Sequence, residues 1–187
     1  QDITDPGIEE IFKKFEFDIV NHHAAQINLR KSVDDPVTDA DINIRGTVNL
    51  MEAMRKHKIS RFIFASTGGA IYGETEIIPT PETVSPSPLS PYGIAKRACE
   101  LYINYYSEVW GIRSAILRYG NVYGPRQDPL GEAGVIAIFI SRILKGETPV
   151  IYGDGNQTRD YVFVRDVVEF NMLVSEKNLC GIYNIGT

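Results

Sequence analysis

Apolar residues recur along the chain at helical and strand intervals in alternating blocks, and that alternation predicts the architecture. Residues 8–15 carry apolar side chains at 3.6-residue spacing, and residues 17–21 (Phe17-Asp18-Ile19-Val20-Asn21) form a short run of strand type. Residues 43–57 read as an amphipathic helix with Val48, Met51 and Met54 on its buried side. Residues 61–65 (Arg61-Phe62-Ile63-Phe64-Ala65) read as a central strand that runs into Ser66-Thr67-Gly68-Gly69-Ala70-Ile71-Tyr72-Gly73. Ser90 and Pro91 then signal a helix start, a side-chain cap followed by a residue whose missing N–H costs nothing in the first turn. Apolar positions follow at Ala95, Cys99, Tyr102, Ile103 and Tyr106, and the rhythm ends near Trp110, with Gly111 as the stop.

The second half repeats the alternation. Residues 112–118 are the next strand, and residues 133–144 are an apolar helix closed by Gly146. Val150-Ile151-Tyr152 precedes Gly153-Asp154-Gly155, a turn whose glycines suit positive φ. Residues 158–164 lead into a helix beginning near Asp166, and the chain ends on Asn184-Ile185-Gly186-Thr187 just after a strand. Strands and helices in βα order predict an α/β fold with a parallel sheet covered on both faces. There is no internal repeat.

Composition narrows the function classes. A length of 187 residues suits one domain with a real core. A net charge of −5 argues against a general nucleic-acid binder, which needs a basic face. The longest apolar run, residues 135–140, is far too short to span a bilayer, and no secretory signal pattern is seen. Cys99 and Cys180 show neither metal nor disulfide spacing, read as packed small hydrophobes, and fit a reduced, cytoplasmic setting.

Several segments invite chemistry and mostly decline it. His22-His23-Ala24-Ala25 stands at a strand end, where a parallel sheet presents ligands. The histidine pair lacks a third ligand at a usual spacing, so no metal is expected, and contacts to a flat group fit better. Asp34, Asp35, Asp39 and Asp41 lack the spacing of a calcium loop and read as solvated helix ends. The five prolines of residues 79–91 describe a loop that skirts the sheet and delivers Tyr92. Asn43 is expected to bond backbone between strands, with contact to cofactor as the alternative, Arg118 to hold a carboxylate within the fold, and His57 to lie at the surface.

Tyr92 and Lys96 carry the sharpest signal. They are i and i+4 on one helix, so both leave the same face one turn apart. An ammonium near a phenol favours the phenolate and lowers the tyrosine pKa toward a value useful for proton abstraction. A nearby hydroxyl, Ser66 or Thr67, stands ready to hold a substrate oxygen.

Six blocks in order then resemble the extended short-chain dehydrogenase family, specifically its nucleotide-sugar epimerases. They are Asp2-Ile3, His23-Ala24-Ala25, Phe64-Ala65-Ser66-Thr67, Tyr92-x-x-x-Lys96, Arg118-Tyr119-Gly120-Asn121-Val122-Tyr123-Gly124 and Gly153-Asp154-Gly155 with Arg159-Asp160-Tyr161. The resemblance implies a Rossmann-like doubly wound parallel sheet that holds NAD, with a smaller domain over the sugar nucleotide. Residues 1–124 would be the later part of the NAD-binding domain and 125–187 part of the sugar-nucleotide region, with the chain crossing back to the sheet. It implies epimerisation at C4 of a UDP-hexose through a 4-keto intermediate. Tyr92 would be the base, Lys96 would contact the nicotinamide ribose, and Thr67, with Ser66 as its rival, would bond the sugar oxygen. Asp2 and Ile3 would flank adenine, His23, Ala24 and Ala25 would line the phosphate and ribose path, and Tyr119 and Gly120 would close the nicotinamide pocket. Asn121 and Arg159 resemble diphosphate ligands, and Val135 and Ile136 would border the base. A two-fold dimer through the helices starting near Asn43 and Tyr92 is also implied.

Two departures qualify the match. Gly68-Gly69 makes the Thr67 block one residue longer than the common epimerase pattern, so the choice between Thr67 and Ser66 depends on where the extra residue sits. No Gly-x-Gly-x-x-Gly occurs, so the chain reads as a middle portion lacking the first βαβ unit, and such a piece alone is expected to hold NAD poorly. A sugar-nucleotide dehydratase is the nearest rival, but Gly68 and Gly69 stand where that branch carries acids. A nucleotide-sugar decarboxylase, or a non-catalytic NAD-binding relative on the same fold, would also fit these blocks.

Overall fold

The computed structural model describes residues 1–129 and 134–187. Four strands, β1 (Val20–His22), β2 (Arg61–Thr67), β3 (Arg113–Tyr119) and β6 (Gly181–Ile185), form one sheet in the order β1-β2-β3-β6. All three pairings are parallel. Between β3 and β6, β4 (Asn121–Tyr123) and β5 (Tyr161–Phe163) make a separate two-stranded parallel ribbon.

Helices cover both faces, as the βα alternation predicts. On one face α1 (Glu9–Lys14), α4 (Gly46–Lys56) and α6 (Pro91–Trp110) enclose Phe12, Met51, Met54, Phe62, Phe64, Ile103 and Ile116. Two short helices, α2 (Leu29–Asp34) and α3 (Pro36–Ala40), carry the chain from β1 towards α4. On the other face, α8 (Val164–Lys177) contributes Val167 and Val174 against Ile63, Ala115 and Leu117. Successive β2 residues thus enter opposite cores, which explains why that strand reads as a continuous apolar run. Burying each such Phe or Ile contributes about 1.5–3 kcal/mol.

α6 begins as its sequence requires: the Ser90 side chain accepts from Gly93 N–H, Pro91 is the first helical residue, and Gly111 closes it at φ 69°. The loop before it runs past the sheet, where Ser87 N–H donates to the Ile71 carbonyl at 2.9 Å and Asn184 N–H to the Glu82 carboxylate at 2.7 Å. Gly93 has no room for a side chain, since a Cβ there would stand 2.5 Å from the Ala70 carbonyl oxygen. That close approach brings α5 (Gly68–Ile71), the turn after β2, against the start of α6.

Several boundaries move. The strand expected at 17–21 is Val20–His22, because Phe15 and Phe17 stay with α1, Phe17 standing edge-on to Phe12 at 5.5 Å. β3 lies one residue later than 112–118, and the last helix starts at Val164 instead of Asp166. The helix expected over 43–57 opens with a wider π turn, Asp41–Arg45, and Val48 is only half-buried while Met51 and Met54 are in the core. The apolar helix is α7 (Val135–Leu144), and its expected start at Ala133 lies outside the described residues. Tyr102, placed among the buried positions of α6, is 45% exposed, and Cys180 is exposed whereas Cys99 is buried.

Candidate active site

β2 and β3 end side by side, with Thr67 registered opposite Tyr119. Thr67 caps α5 by accepting from Ala70 N–H at 3.2 Å, and the following Gly68 packs so closely that a Cβ would stand 3.2 Å from the Tyr119 carbonyl oxygen. Lys96 lies one helical turn beyond Tyr92 and is only 4% exposed. Its ammonium donates to the Ala65 carbonyl at 2.9 Å and stands over Phe64, 4.7 Å from the ring centroid. The same ammonium lies 5.9 Å from the Tyr92 ring centroid. Thr67 and Tyr119 therefore end neighbouring strands at the carboxyl edge of the sheet, where open α/β sheets bind ligands, and Lys96, bonded to Ala65 of β2, keeps Tyr92 on the α6 side of that edge.

The electrostatics differ from the i,i+4 expectation. Burial, reinforced by the Asp39 carboxylate, pushes the Tyr92 phenol up to about 12 instead of lowering it. Burial also brings the Lys96 ammonium down to about 8. Asp39 is the unexpected member. Expected at a solvated helix end, it is 1% exposed, and its Oδ1 accepts from Gln26 Nε2 at 2.8 Å and from Asn43 Nδ2 at 3.0 Å. Asn43 also exchanges hydrogen bonds with the backbone of Gln26, as its sequence suggested. Of the other aspartates, Asp35 caps α3 and Asp41 pairs with Arg45.

The two histidines separate in role. His23 Nε2 shares a hydrogen bond of 2.9 Å with Tyr119 OH, their rings stacked at 5.8 Å, and Asn171 Nδ2 donates to the same phenol at 2.8 Å. His22 points into the core, bonded to Thr47 Oγ1 at 3.1 Å, and burial followed by the Lys96 and His23 charges holds its pKa down to about 3. An unfolded imidazole takes its proton near pH 6.5, so between those values the unfolded chain binds more protons than the folded one. This contribution to stability is complete above pH 6.5 and is lost as pH falls toward 3. The urea midpoint is expected to drop between pH 7 and pH 4, and to drop less in His22→Asn.

Other predicted residues fall into three places. Ser66 is buried with its hydroxyl turned to Glu100, while Thr67 is half-buried at the strand end. Asn121 starts the β4–β5 ribbon, and its N–H donates at 2.7 Å to the carbonyl of Asp160, the residue after Arg159. Arg159 is exposed, and its guanidinium donates to the neighbouring Thr158 carbonyl. Ile136 lines a groove of about 490 Å³ with Tyr123, Pro125 and Phe163, and Val135 begins the helix beside it. Ala24 and Ala25 follow His23 at the end of β1. Asp2 and Ile3 lie elsewhere: Asp2 accepts from Thr4, and Ile3 packs on Gly46 of α4.

Three residues beside the cluster escaped the sequence reading. Ser32 Oγ accepts from the Tyr92 N–H at 3.3 Å, Asn171 holds Tyr119, and Glu100 binds Ser66. Only Glu100 had a visible signal, since it continues the Tyr92–Lys96 face of α6 by one more turn. Arg118 holds a carboxylate as expected, and that carboxylate is Glu100.

Comparison with known proteins identifies relatives. Residues 1–186 match the family described as NAD dependent epimerase/dehydratase. The UDP-glucose 4-epimerase of Mycolicibacterium smegmatis is 45% identical over 168 residues, covering 90% of this chain and 54% of that protein. The crystal structure of Thermotoga maritima UDP-glucose 4-epimerase with UDP-glucose superposes with a TM-score of 0.96 at 49% identity, covering all of this chain and 61% of that one. The Thermus thermophilus UDP-glucose 4-epimerase in complex with NAD gives 0.93 at 48% identity, over all of this chain and 62% of that one. The chain thus spans little more than half the length of these relatives.

Proposed function

Since this chain belongs to the NAD dependent epimerase/dehydratase family, we propose that the whole protein interconverts UDP-glucose and UDP-galactose by epimerisation at C4. The observation that carries this reading is the pairing of Thr67 with Tyr119 at the ends of β2 and β3 and of Tyr92 with Lys96, whose ammonium bonds β2 at Ala65, with Gly68 and Gly69 where a dehydratase needs acids. The named relatives bound to UDP-glucose and to NAD support the substrate and the cofactor.

The residues present fit one end of NAD. Among the described residues Lys96 donates to the Ala65 carbonyl, and its ammonium carries three donors, so further N–H groups can serve the hydroxyls of a ribose. Tyr119 and His23 offer stacked rings at the neighbouring strand ends, and Ala24 and Ala25 follow His23 with small side chains. The donors of Lys96 suit the nicotinamide ribose end of the cofactor. Asp2 and Ile3 belong to the adenine end in the same reading, and Gly120 to the nicotinamide pocket.

When bound, NAD supplies the hydride acceptor and a positive charge that favours the phenolate. Tyr92 accepts the proton of the sugar 4-hydroxyl and later returns it, so the phenol is base in one half-reaction and acid in the other. Thr67 Oγ1 bonds the same sugar oxygen and fixes its distance from Tyr92. Ser66 is the weaker candidate, because its hydroxyl is already committed to Glu100. Lys96 holds the ribose and the local positive charge. Asn121 and Arg159 grip the diphosphate, Arg through its fork of donors, and Val135 and Ile136 border the uracil. Thr67 and Tyr92 would hold the sugar oxygen in both half-reactions, while the 4-keto sugar would turn between them within the pocket. Incubating the complete protein with UDP-galactose is expected to give UDP-glucose, and its absence overturns the reading.

The same reading assigns the protein to the cytoplasm, where NAD and UDP-sugars reside, and pairs it as a homodimer through α4 and α6. The outer side of α6 supports the pairing: Leu101, Tyr102, Tyr105, Val109 and Trp110 are all exposed. Sedimentation at micromolar concentration is expected to give twice the chain mass, and a monomer overturns the pairing.

A further inference from the structure

Glu100 has a side chain with no exposed surface, on the helix that carries Tyr92 and Lys96. Its Oε1 accepts from Ser66 Oγ at 2.7 Å and from Arg118 Nε at 2.9 Å. Its Oε2 accepts from Arg118 at 2.7 Å and from Arg97 at 3.0 Å. Ser66 and Arg118 are registered opposite each other in β2 and β3, and each directly precedes a candidate site residue, Thr67 and Tyr119. One carboxylate on α6 therefore clamps both strand ends that present the site. The remaining Arg118 nitrogen donates to Tyr72 OH at 2.7 Å, and Tyr72 donates in turn to Asn184 Oδ1 at 2.7 Å. Asn184 donates to the Thr80 carbonyl at 2.8 Å, so the chain of bonds reaches the loop that delivers α6.

Stability alone does not account for this arrangement. Removing two charges from water is costly, and a buried ion pair is matched or exceeded in stability by apolar residues of similar volume. What a fully satisfied buried network provides is a single geometry. We propose that Glu100 is a positioning residue that sets the spacing between Thr67 and Tyr92, through Ser66 and Arg118, for the proton transfer assigned above. The proposal rests on that functional reading.

The test compares the complete protein with its Glu100→Gln and Ser66→Ala variants on UDP-galactose. Gln keeps the volume but replaces one acceptor oxygen with an amide donor, and Ala removes a single hydroxyl. A small displacement of reacting groups has a large kinetic cost, so kcat is expected to fall roughly a hundredfold in Glu100→Gln and about tenfold in Ser66→Ala, with KM within about twofold. A folded variant with wild-type kcat overturns the proposal, as does a rise in KM at unchanged kcat. Should Glu100→Gln not fold, Ser66→Ala decides. If the wild-type protein leaves UDP-galactose unchanged, the functional reading fails, and amide hydrogen exchange in Ser66→Ala then decides the positioning role. Faster exchange confined to residues 67–71 and 91–96 supports it, and unchanged exchange there overturns it.

Discussion

Replacing Tyr92 with Phe is expected to lower kcat by about 10³-fold while leaving the affinity for UDP-sugar within about twofold. Only the transferable proton is lost, since the ring keeps its half-buried place at the start of α6. The Tyr92 N–H to Ser32 Oγ hydrogen bond comes from backbone and survives the change. Burial and the Asp39 charge push the Tyr92 phenol up to about 12, so without bound ligands it keeps its proton at neutral pH. A base at neutral pH then requires positive charge beside the ring, and in the proposed reading Lys96 and bound NAD would supply it. Turnover and equilibrium binding of UDP-galactose, measured on the same preparation, check this. Near-normal turnover in Tyr92→Phe removes Tyr92 from the proton-carrying role.

Replacing Arg118 with Ala is expected to destabilise the protein by about 3–5 kcal/mol, the cost of leaving one partner of a buried pair behind. Arg118 is 1% exposed and makes a two-pronged contact with Glu100. After truncation Glu100 keeps Ser66 and the partly exposed Arg97, and Tyr72 loses its donor. Arg159→Ala serves as the comparison, because that exposed side chain bonds its neighbour's carbonyl and is expected to change stability by less than about 0.5 kcal/mol. Urea denaturation of the three proteins separates the two effects. Equal stability of Arg118→Ala and wild type rules out an energetic role for the pair.

Local signals made much of this molecule legible in its sequence. Ser90, Pro91 and Gly111 bracket α6 with short-range chemistry, and the apolar run of β2 needs both faces covered. The order of strands and helices leads directly to the parallel sheet. What escaped depends on distant partners. Asp39 reads as a solvated aspartate until Gln26 and Asn43, from a loop and a π turn, close around it. Burial of the phenol, reinforced by the Asp39 charge, then reverses the effect on Tyr92 that i,i+4 logic assigns to Lys96. Phe15 and Phe17 look like strand residues, yet they pack as an aromatic cluster on Phe12 and delay β1 to Val20. Cys180 has nothing in its neighbourhood of sequence to say that it faces solvent.

The ribbon of β4 and β5 branches from the main sheet with one residue, Gly120, between Tyr119 and Asn121. A Cβ at Gly120 would stand 3.1 Å from the Asp160 carbonyl oxygen, so any side chain at the junction would press on the β5 side of the ribbon. The residues proposed to handle the proton precede this junction in the chain, and those proposed for the diphosphate and the groove follow it. Exchanging residues 121–163 between relatives is therefore expected to change the proposed nucleotide-binding side while β2, β3 and α6 keep their own packing.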